Sequence, residues 1–556
     1  MAEATLLASN DKVCVIGLDG GTFDVLDKWV EAGEMPHLAG LMQRGARANL
    51  MSTVPTLTVP AWTSMTTGVN PGRHGAYDFV KWPADGGPSR FVRSWDVTVP
   101  RFWDLAGDGG RRVGAFHVPV TYPVWPVNGF MMSGILTPRP SPEMIYPHDL
   151  FRSLPRAELR WHLLRDLRPD RLHIAWQKVR QIQRAQRVLR RLLNKYEPEL
   201  FMYVSSEVDH MQHVLWGYCM RDESAADPRI RSVVRRFFRT VDDTIGLLRD
   251  HFGDGATYHV VSDHGFGPWL EHPHFARHLV RQGFLKIRPD VFRRTGRVRR
   301  LVRKLSVLLK ELGLFEPARR LLRTIEGAVG VRLREVTGRG SPLSSAVDWQ
   351  HTRAFVRSAT ESGVRLNVLG RERQGTVEPG RQYEEVLRQV TQLLEDLTDP
   401  ETGERLMERV VRPEEIHHGP YMGDGPDLFV VFREDVGRVR EAPHRPVSST
   451  VDLFTGHHRR AGVLVAAGPG IKAGPYQAAD ILDVAPMVLH SAGLAVPRYM
   501  EGQVLAPMFE PGYLEDHPVR YSDAPLEPEK PRSAKPGAAE GDDKDLRRRL
   551  RDLGYV

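Results

Sequence analysis

One hydroxyl and six carboxylate or imidazole side chains stand where this sequence could do chemistry. The hydroxyl is Thr58, at the centre of VPTLTVPAWTSMTTGVNPGRHG (54–75) and two residues before Pro60. Proline is favoured at the start of a helix, where its missing N–H costs nothing, so Thr58 is predicted just outside a helix N-terminus. Unpaired backbone N–H groups and the positive end of the helix dipole favour an alkoxide or a bound phosphate there. Threonine also serves as a plain cap at such positions, so Thr58 is a nucleophile only in suitable company.

The sequence supplies that company. Asp209 and His213 are four apart in EVDHMQH and would share one face of a helical turn. A carboxylate with an imidazole suits zinc or a similar divalent ion. His210 points away from that face and reads as a surface histidine. Asp263 and His264 form a second such pair, followed by Gly265, which permits tight backbone approach. Asp19 follows the apolar run KVCVIGL, and a histidine of GHHR (456–459) is a candidate third ligand for the Asp209/His213 ion. Six such ligands and one hydroxyl are what a two-metal phosphoryl-transfer site requires. One ion holds the hydroxyl as an alkoxide, and the other stabilises the leaving oxygen during in-line displacement.

These groups need strands to carry them. KVCVIGL (12–18), ELFMYVSS (199–206) and YHVVS (258–262) are short apolar runs of the kind that form buried parallel strands. Open α/β sheets place their ligands at the C-terminal ends of such strands, where Asp19, Asp209 and Asp263 fall. Amphipathic helical patterns at 175–196, 233–252 and 383–397 alternate with strand patterns, as in an α/β protein.

With 556 residues, 41% of them hydrophobic, the chain can bury a large core. Its two cysteines, Cys14 and Cys219, exclude a disulfide framework and a CxxC metal site. The N-terminal residues show no secretory pattern and no run of about eighteen apolar residues occurs, so a cytoplasmic protein without a membrane span is expected. The net charge of +8 is uneven, because residues 281–323 hold fourteen Lys or Arg against three acidic residues. That basic segment reads as a helical insertion with a charged outer face, or as a surface for anionic lipid or a polyanion. Without interleaved aromatic residues it does not suit nucleic acid. The expected organisation is a catalytic domain over 1–510, with helical insertions or a cap at 137–195 and 281–345. A flexible tail over 511–556 is expected from its proline and charge content.

Together the pieces resemble the alkaline phosphatase superfamily, and within it the type I phosphodiesterases and nucleotide pyrophosphatases. The resemblance is carried by GLDGG, PTLTVP with TTGVNPGRHG, DHMQH, SDHG, GHHR and DVAPMVLHSAGL, in the family's order from Val13 to about Gly502. It implies a three-layer α/β/α sandwich around a mostly parallel sheet. It further implies that Thr58 is transiently phosphorylated, that Asp19, Asp263 and His264 hold the ion activating it, and that Asp209, His213 and His458 hold a second. The family spacing of Gly, any residue, His selects His458 over His457. The ions would be zinc, with manganese as the alternative, and the substrate a small phosphorylated compound. One departure stands out, because the position of the family's phosphoryl-contacting Asn is Phe79 here, beside Asp78. Lys81 is a weak candidate to supply a compensating charge.

The leading expectation is a metal-dependent phosphohydrolase cleaving a phosphodiester or pyrophosphate through Thr58. A phosphomonoesterase or phosphomutase could use the same residues, because the choice of ester rests on pocket shape around the leaving group. A binding module with a vestigial site, docking its basic segment on an anionic surface, is the alternative of another class. Sulfate ester hydrolysis is disfavoured, since no CxPxR-type motif occurs.

Overall fold

The structure is a computed structural model. It describes residues 12–82, 89–159, 170–221, 227–271, 275–288, 347–357, 360, 362–436, 438–439 and 454–526, together with 546, 547 and 550. Most of the basic segment 281–323, and of the expected insertion 281–345, lies outside the described residues.

Eight strands build the central sheet: β1 (Val13–Leu18), β2 (Ala46–Met51), β3 (Val113–Val118), β4 (Gly129–Ser133), β5 (Ile145–Tyr146), β6 (Leu200–Ser205), β7 (Thr257–Val261) and β8 (Ala461–Ala467). Their order is β2-β8-β7-β1-β6-β3-β4-β5, with short edge pairings of 474–475 and 479–480 against β2. Strand β1 runs parallel to both neighbours, and the register sets Leu18 opposite Ser205 and Gly17 opposite Val261. Strand β8 is antiparallel to β2 and β7. The residues that follow β1, β6 and β7 therefore emerge side by side at one edge of the sheet, the edge where open α/β sheets hold ligands.

Burial on both faces explains the unbroken apolar runs. Cys14, Ile16 and Leu18 of β1 face a core shared with α2 (Arg171–Tyr196) and α4 (Pro228–Phe252). Val13 and Val15 face the opposite core, shared with α1 (Thr58–Thr67) and α6 (Val484–Ser491). Helix α3 (Glu207–Cys219) follows β6 directly. The result is the expected α/β/α sandwich. Gly17 lets α1 lie close to the sheet, since a Cβ there would stand 2.5 Å from the Trp62 ring.

Three parts of the expected organisation come out differently. The stretch 137–195 belongs to the main body: β5 is an edge strand of the sheet, and one face of α2 is buried in the core beside α4. Its arginines lie mostly on the outer face. Residues 347–436, assigned to the catalytic domain as a whole, contain a second sheet of 354–355, 363–366, 428–432 and 407–411. That sheet and α5 (Arg381–Glu395) enclose a separate core of residues such as Leu366, Val390 and Leu428. Finally, parts of the expected flexible tail contact the main body. Tyr521–Ser522 pairs with Val496–Pro497. Leu546 and Leu550, four apart and so on one helical face, are fully buried against Phe79 and Phe91 in a cluster that also holds Leu57 and Val59.

Candidate active site

Thr58 opens helix α1 as its first residue, one position further in than its spacing from Pro60 predicts. The other threonines of α1 spend their hydroxyls on the helix, Thr63 on Val59 O, Thr66 on Trp62 O and Thr67 on Thr63 O. The hydroxyl of Thr58 is buried without a partner. It stands at the positive end of the helix dipole, which favours negative charge on or near it.

The sheet edge brings the six predicted ligands into two sets. In one, His264 Nε2 lies 3.3 Å from Asp263 Oδ2 and 3.7 Å from Asp19 Oδ1. In the other, Asp209 Oδ1, His213 Nε2 and His458 Nε2 form a triangle with sides of 3.4, 3.2 and 3.1 Å. The sets touch, because donor atoms of Asp209, His264 and His458 lie within 4.8 Å of one another. Asp19, Asp209, Asp263 and His264 are fully buried.

Hydrogen bonding fixes what these atoms present. Nδ1 of His264 donates to Gly265 O at 3.0 Å, that of His213 to Gly456 O at 2.8 Å, and that of His458 to Thr56 O at 3.3 Å. A carbonyl only accepts, so each ring donates from Nδ1 and turns its Nε2 inward. Those nitrogens meet carboxylate oxygens and, between His213 and His458, each other. Both oxygens of Asp19, Oδ2 of Asp263 and Nε2 of His264 are buried without a hydrogen-bond partner. Donor atoms so arranged could hold a cation between them. Tetrahedral donors about 2.0–2.1 Å from a zinc stand about 3.3–3.4 Å apart, which fits both sets.

The electrostatics agree. Burial, with the neighbouring Asp263 and Asp209 carboxylates, pushes the Asp19 carboxyl well above its usual range. Burial pushes Asp263 up to about 8. Without a positive ion Asp263 holds its proton at neutral pH, and the charged form of Asp19 is disfavoured.

Sequence reasoning missed the residues that hold the ligands in place. Gly20 has φ +68° and a Cβ there would lie 2.9 Å from the Phe266 ring, so the DGG turn needs glycine. In that turn Gly20 N donates to Asp263 Oδ1 at 3.1 Å, and its carbonyl accepts from the buried Gln212 Nε2 at 2.8 Å. Phe454 stacks on His213 at 4.7 Å between centroids. Only the doubled glycine was visible as a signal in the sequence.

The remaining candidates lie elsewhere. His210, read as a surface histidine, is half-buried with Nδ1 3.3 Å from Lys178 Nζ. Lys81 pairs with Asp424 at 3.4 Å and lies over the Tyr421 ring, so its charge is engaged by the small second sheet unit. Phe79 is fully buried in the apolar cluster behind Leu57 and Val59. The second unit also seats against both flanks of α1, where His417 Nε2 donates to Val54 O at 2.7 Å and Thr360 Oγ1 to Asp78 Oδ1 at 2.8 Å.

A mostly parallel α/β sandwich with a helix-end hydroxyl and two cation-hungry donor sets on one sheet edge defines an alkaline-phosphatase-type protein. The model of the family described as type I phosphodiesterase / nucleotide pyrophosphatase matches residues 13–441. The chain belongs to that family, a branch of the alkaline phosphatase superfamily, and is a phosphohydrolase of the phosphodiesterase/pyrophosphatase type. Members are typically dependent on divalent metals. The match stops short of His457 and His458. No curated protein matches the sequence. Similar solved structures include murine ectonucleotide pyrophosphatase/phosphodiesterase 5, at 14% identity and a TM-score of 0.44. They also include phosphonoacetate hydrolase from Sinorhizobium meliloti 1021 in complex with phosphonoformate, at 15% and 0.48. Each alignment covers 87% of this chain and 96% of the other. Among the described residues no helix is long and apolar enough to cross a membrane.

Proposed function

We propose that this protein hydrolyses a phosphodiester or pyrophosphate through a phosphothreonine on Thr58. The observation that carries the reading is the buried, unpartnered Thr58 hydroxyl two residues after Thr56, whose carbonyl accepts from His458 of the second donor set. Asp19, Asp263 and His264 would hold one divalent ion, and Asp209, His213 and His458 a second, with zinc suited to the mixed carboxylate and imidazole donors. Bound there, the ions supply Lewis-acid polarisation of a phosphoryl oxygen and lower the pKa of an adjacent hydroxyl.

The chain's own residues do the rest. Thr58 Oγ1, released from helix hydrogen bonding, attacks phosphorus in line. The Thr58 O–P bond forms as the bond to the leaving oxygen breaks, and the proton lost by the Thr58 hydroxyl ends on that oxygen, which departs as an alcohol or phosphate. Water then attacks the phosphothreonine, its oxygen going to phosphorus and its proton to Thr58 Oγ1. The N-terminus of α1 stabilises the negative charge that gathers on the transferring group. The DGG turn and Gln212 keep Asp263 aimed through both steps.

Phosphomonoester hydrolysis or mutase chemistry is favoured by one observation. Phe79 lies inside the apolar cluster and offers no hydrogen bond to a phosphoryl oxygen.

The test pairs chromogenic phosphate monoester and diester substrates with metal analysis of wild-type and Thr58→Ala protein. Expected are about two ions in both proteins, activity only in wild type, and an acid-stable phosphoryl group on Thr58 after quenching. The preferred ester separates the two readings. Full activity in Thr58→Ala would overturn both.

A further inference from the structure

His457 precedes His458 in the strand Gly456–Arg459, which pairs with Gly265–Pro268 as a two-stranded ribbon. Neighbours on a strand project to opposite sides. His458 turns into the Asp209 set, whereas His457 is exposed and lies flat on Trp269, with centroids 4.6 Å apart and planes at 17°. Even so, a ring nitrogen of His457 lies within 4.8 Å of ring nitrogens of both His213 and His458. Three imidazoles therefore meet beside the second donor set, and with Asp209 they would make one donor more than a catalytic zinc site uses.

The four donors are not held alike. The His213 ring is fixed by its bond to Gly456 O and its stack on Phe454. His458 is tied to Thr56 O. The His457 ring makes no hydrogen bond to the described residues, and a flat stack on indole lets it slide or turn without breaking one. It is also the donor that solvent reaches.

We propose that His457 is a displaceable fourth protein donor at the second metal position, present in the resting protein and replaced there by water or a substrate oxygen. This inference rests on the two-metal reading of the site. Four protein donors close a zinc site, as in structural zinc centres, and three leave the open position that catalysis needs. A third imidazole also shifts the set toward zinc and away from magnesium and manganese, which prefer oxygen. The exposed ring thus gives the protein a way to retain zinc between turnovers without filling the reacting position permanently.

The experiment measures zinc affinity of the full chain by competition with a chromophoric chelator, and the visible absorption of the cobalt(II)-loaded protein. Wild type is compared with His457→Ala, His457→Phe and His458→Ala. The phenylalanine keeps a ring on Trp269 and removes the donor nitrogen. Expected is a 10–100-fold weaker second zinc in both His457 variants, comparable to losses on removing supporting groups at metal sites, with the first zinc unchanged. The intense cobalt bands of four-coordination should weaken toward those of higher coordination with water. Unchanged zinc affinity in both His457 variants, with loss of the second zinc in His458→Ala, would overturn this inference alone. Loss in the alanine variant but not in the phenylalanine variant would overturn it as well, assigning the effect to packing on Trp269. Retention of both zincs in His458→Ala would overturn the two-metal reading together with it.

Discussion

The two donor sets share an edge of one sheet yet are built in different ways. Asp19, Asp263 and His264 emerge from β1 and β7 in the buried middle of the sheet, and the set carries two carboxylates to one imidazole. Asp209, His213 and His458 come from a helix and a ribbon, one carboxylate to two imidazoles, and His458 keeps 6% of its side-chain surface open. With a divalent ion the first set is formally neutral and the second keeps one positive charge. The first set therefore depends on its ion to ionise at all, since Asp263 alone would hold its proton to about pH 8. The second has charge to spare for an anionic substrate. Under the proposed mechanism this difference would divide the labour, the more buried set anchoring the hydroxyl and the other receiving the phosphoryl group.

The sharpest way to break this comparison is to remove one donor from each side. Asp263→Asn and His458→Ala should each cost at least about 100-fold in turnover, as expected when a ligand and not merely its support is lost. Their effects on the metal-free protein should have opposite character. Asp263→Asn removes a buried acid that desolvation penalises and should raise the melting temperature. His458→Ala leaves that penalty in place and opens a gap beside His213, so it should lower the melting temperature or leave it unmoved. Calorimetry in chelator and in zinc checks both signs. Equal behaviour of the two variants would refute the distinction.

A smaller effect tests whether the sets are coupled. Gln212 belongs to α3, which carries Asp209 and His213, but its amide holds Gly20 O beside Asp19 and Asp263. Gln212→Ala should weaken the first zinc by about 10-fold although every ligand is intact, in the range found for groups that orient metal ligands. Chelator titration of the two sites reads this directly. A change confined to the second zinc would place the role of Gln212 in α3 alone.

Much of this was legible in the sequence because short buried strands announce themselves. Asp19, Asp263 and His264 could be placed because each follows an apolar run and precedes glycine, Gly20 in one case and Gly265 in the other, and the i, i+4 spacing of Asp209 and His213 needed only a helix. What was not legible depends on distance along the chain. Residues 347–436 alternate strand and helix like the rest, so periodicity could not show that Leu366 and Val390 close a core of their own. Leu546 and Leu550 sit in a stretch whose charge and proline content suggest disorder, and two leucines are too few to reveal that they complete the cluster around Phe79. The special role of Gln212 depends on Gly20, 192 residues away.

The last comparison sets the donor sets against the strand that carries one of them. His259 lies in β7, fully buried, with Nε2 3.1 Å from Ser491 Oγ, and burial holds its pKa down at about 4. In the unfolded chain a histidine titrates near 6.5. The depressed value means that the unfolded state binds the proton more readily, so stability is complete above about pH 6.5 and is lost as pH falls toward 4. By linkage the loss at pH 4 is about 3 kcal/mol from this residue. His74, His117 and His417 are pushed in the same direction by burial, so they add to the acid sensitivity. His259→Gln keeps a polar group opposite Ser491 but cannot titrate. It should leave turnover and zinc content at pH 7.5 nearly unchanged while flattening the fall in stability between pH 6.5 and 4, as read by urea unfolding in chelator. Were the acid sensitivity to remain in that variant, its source would be the other buried histidines and not the strand beneath the first donor set.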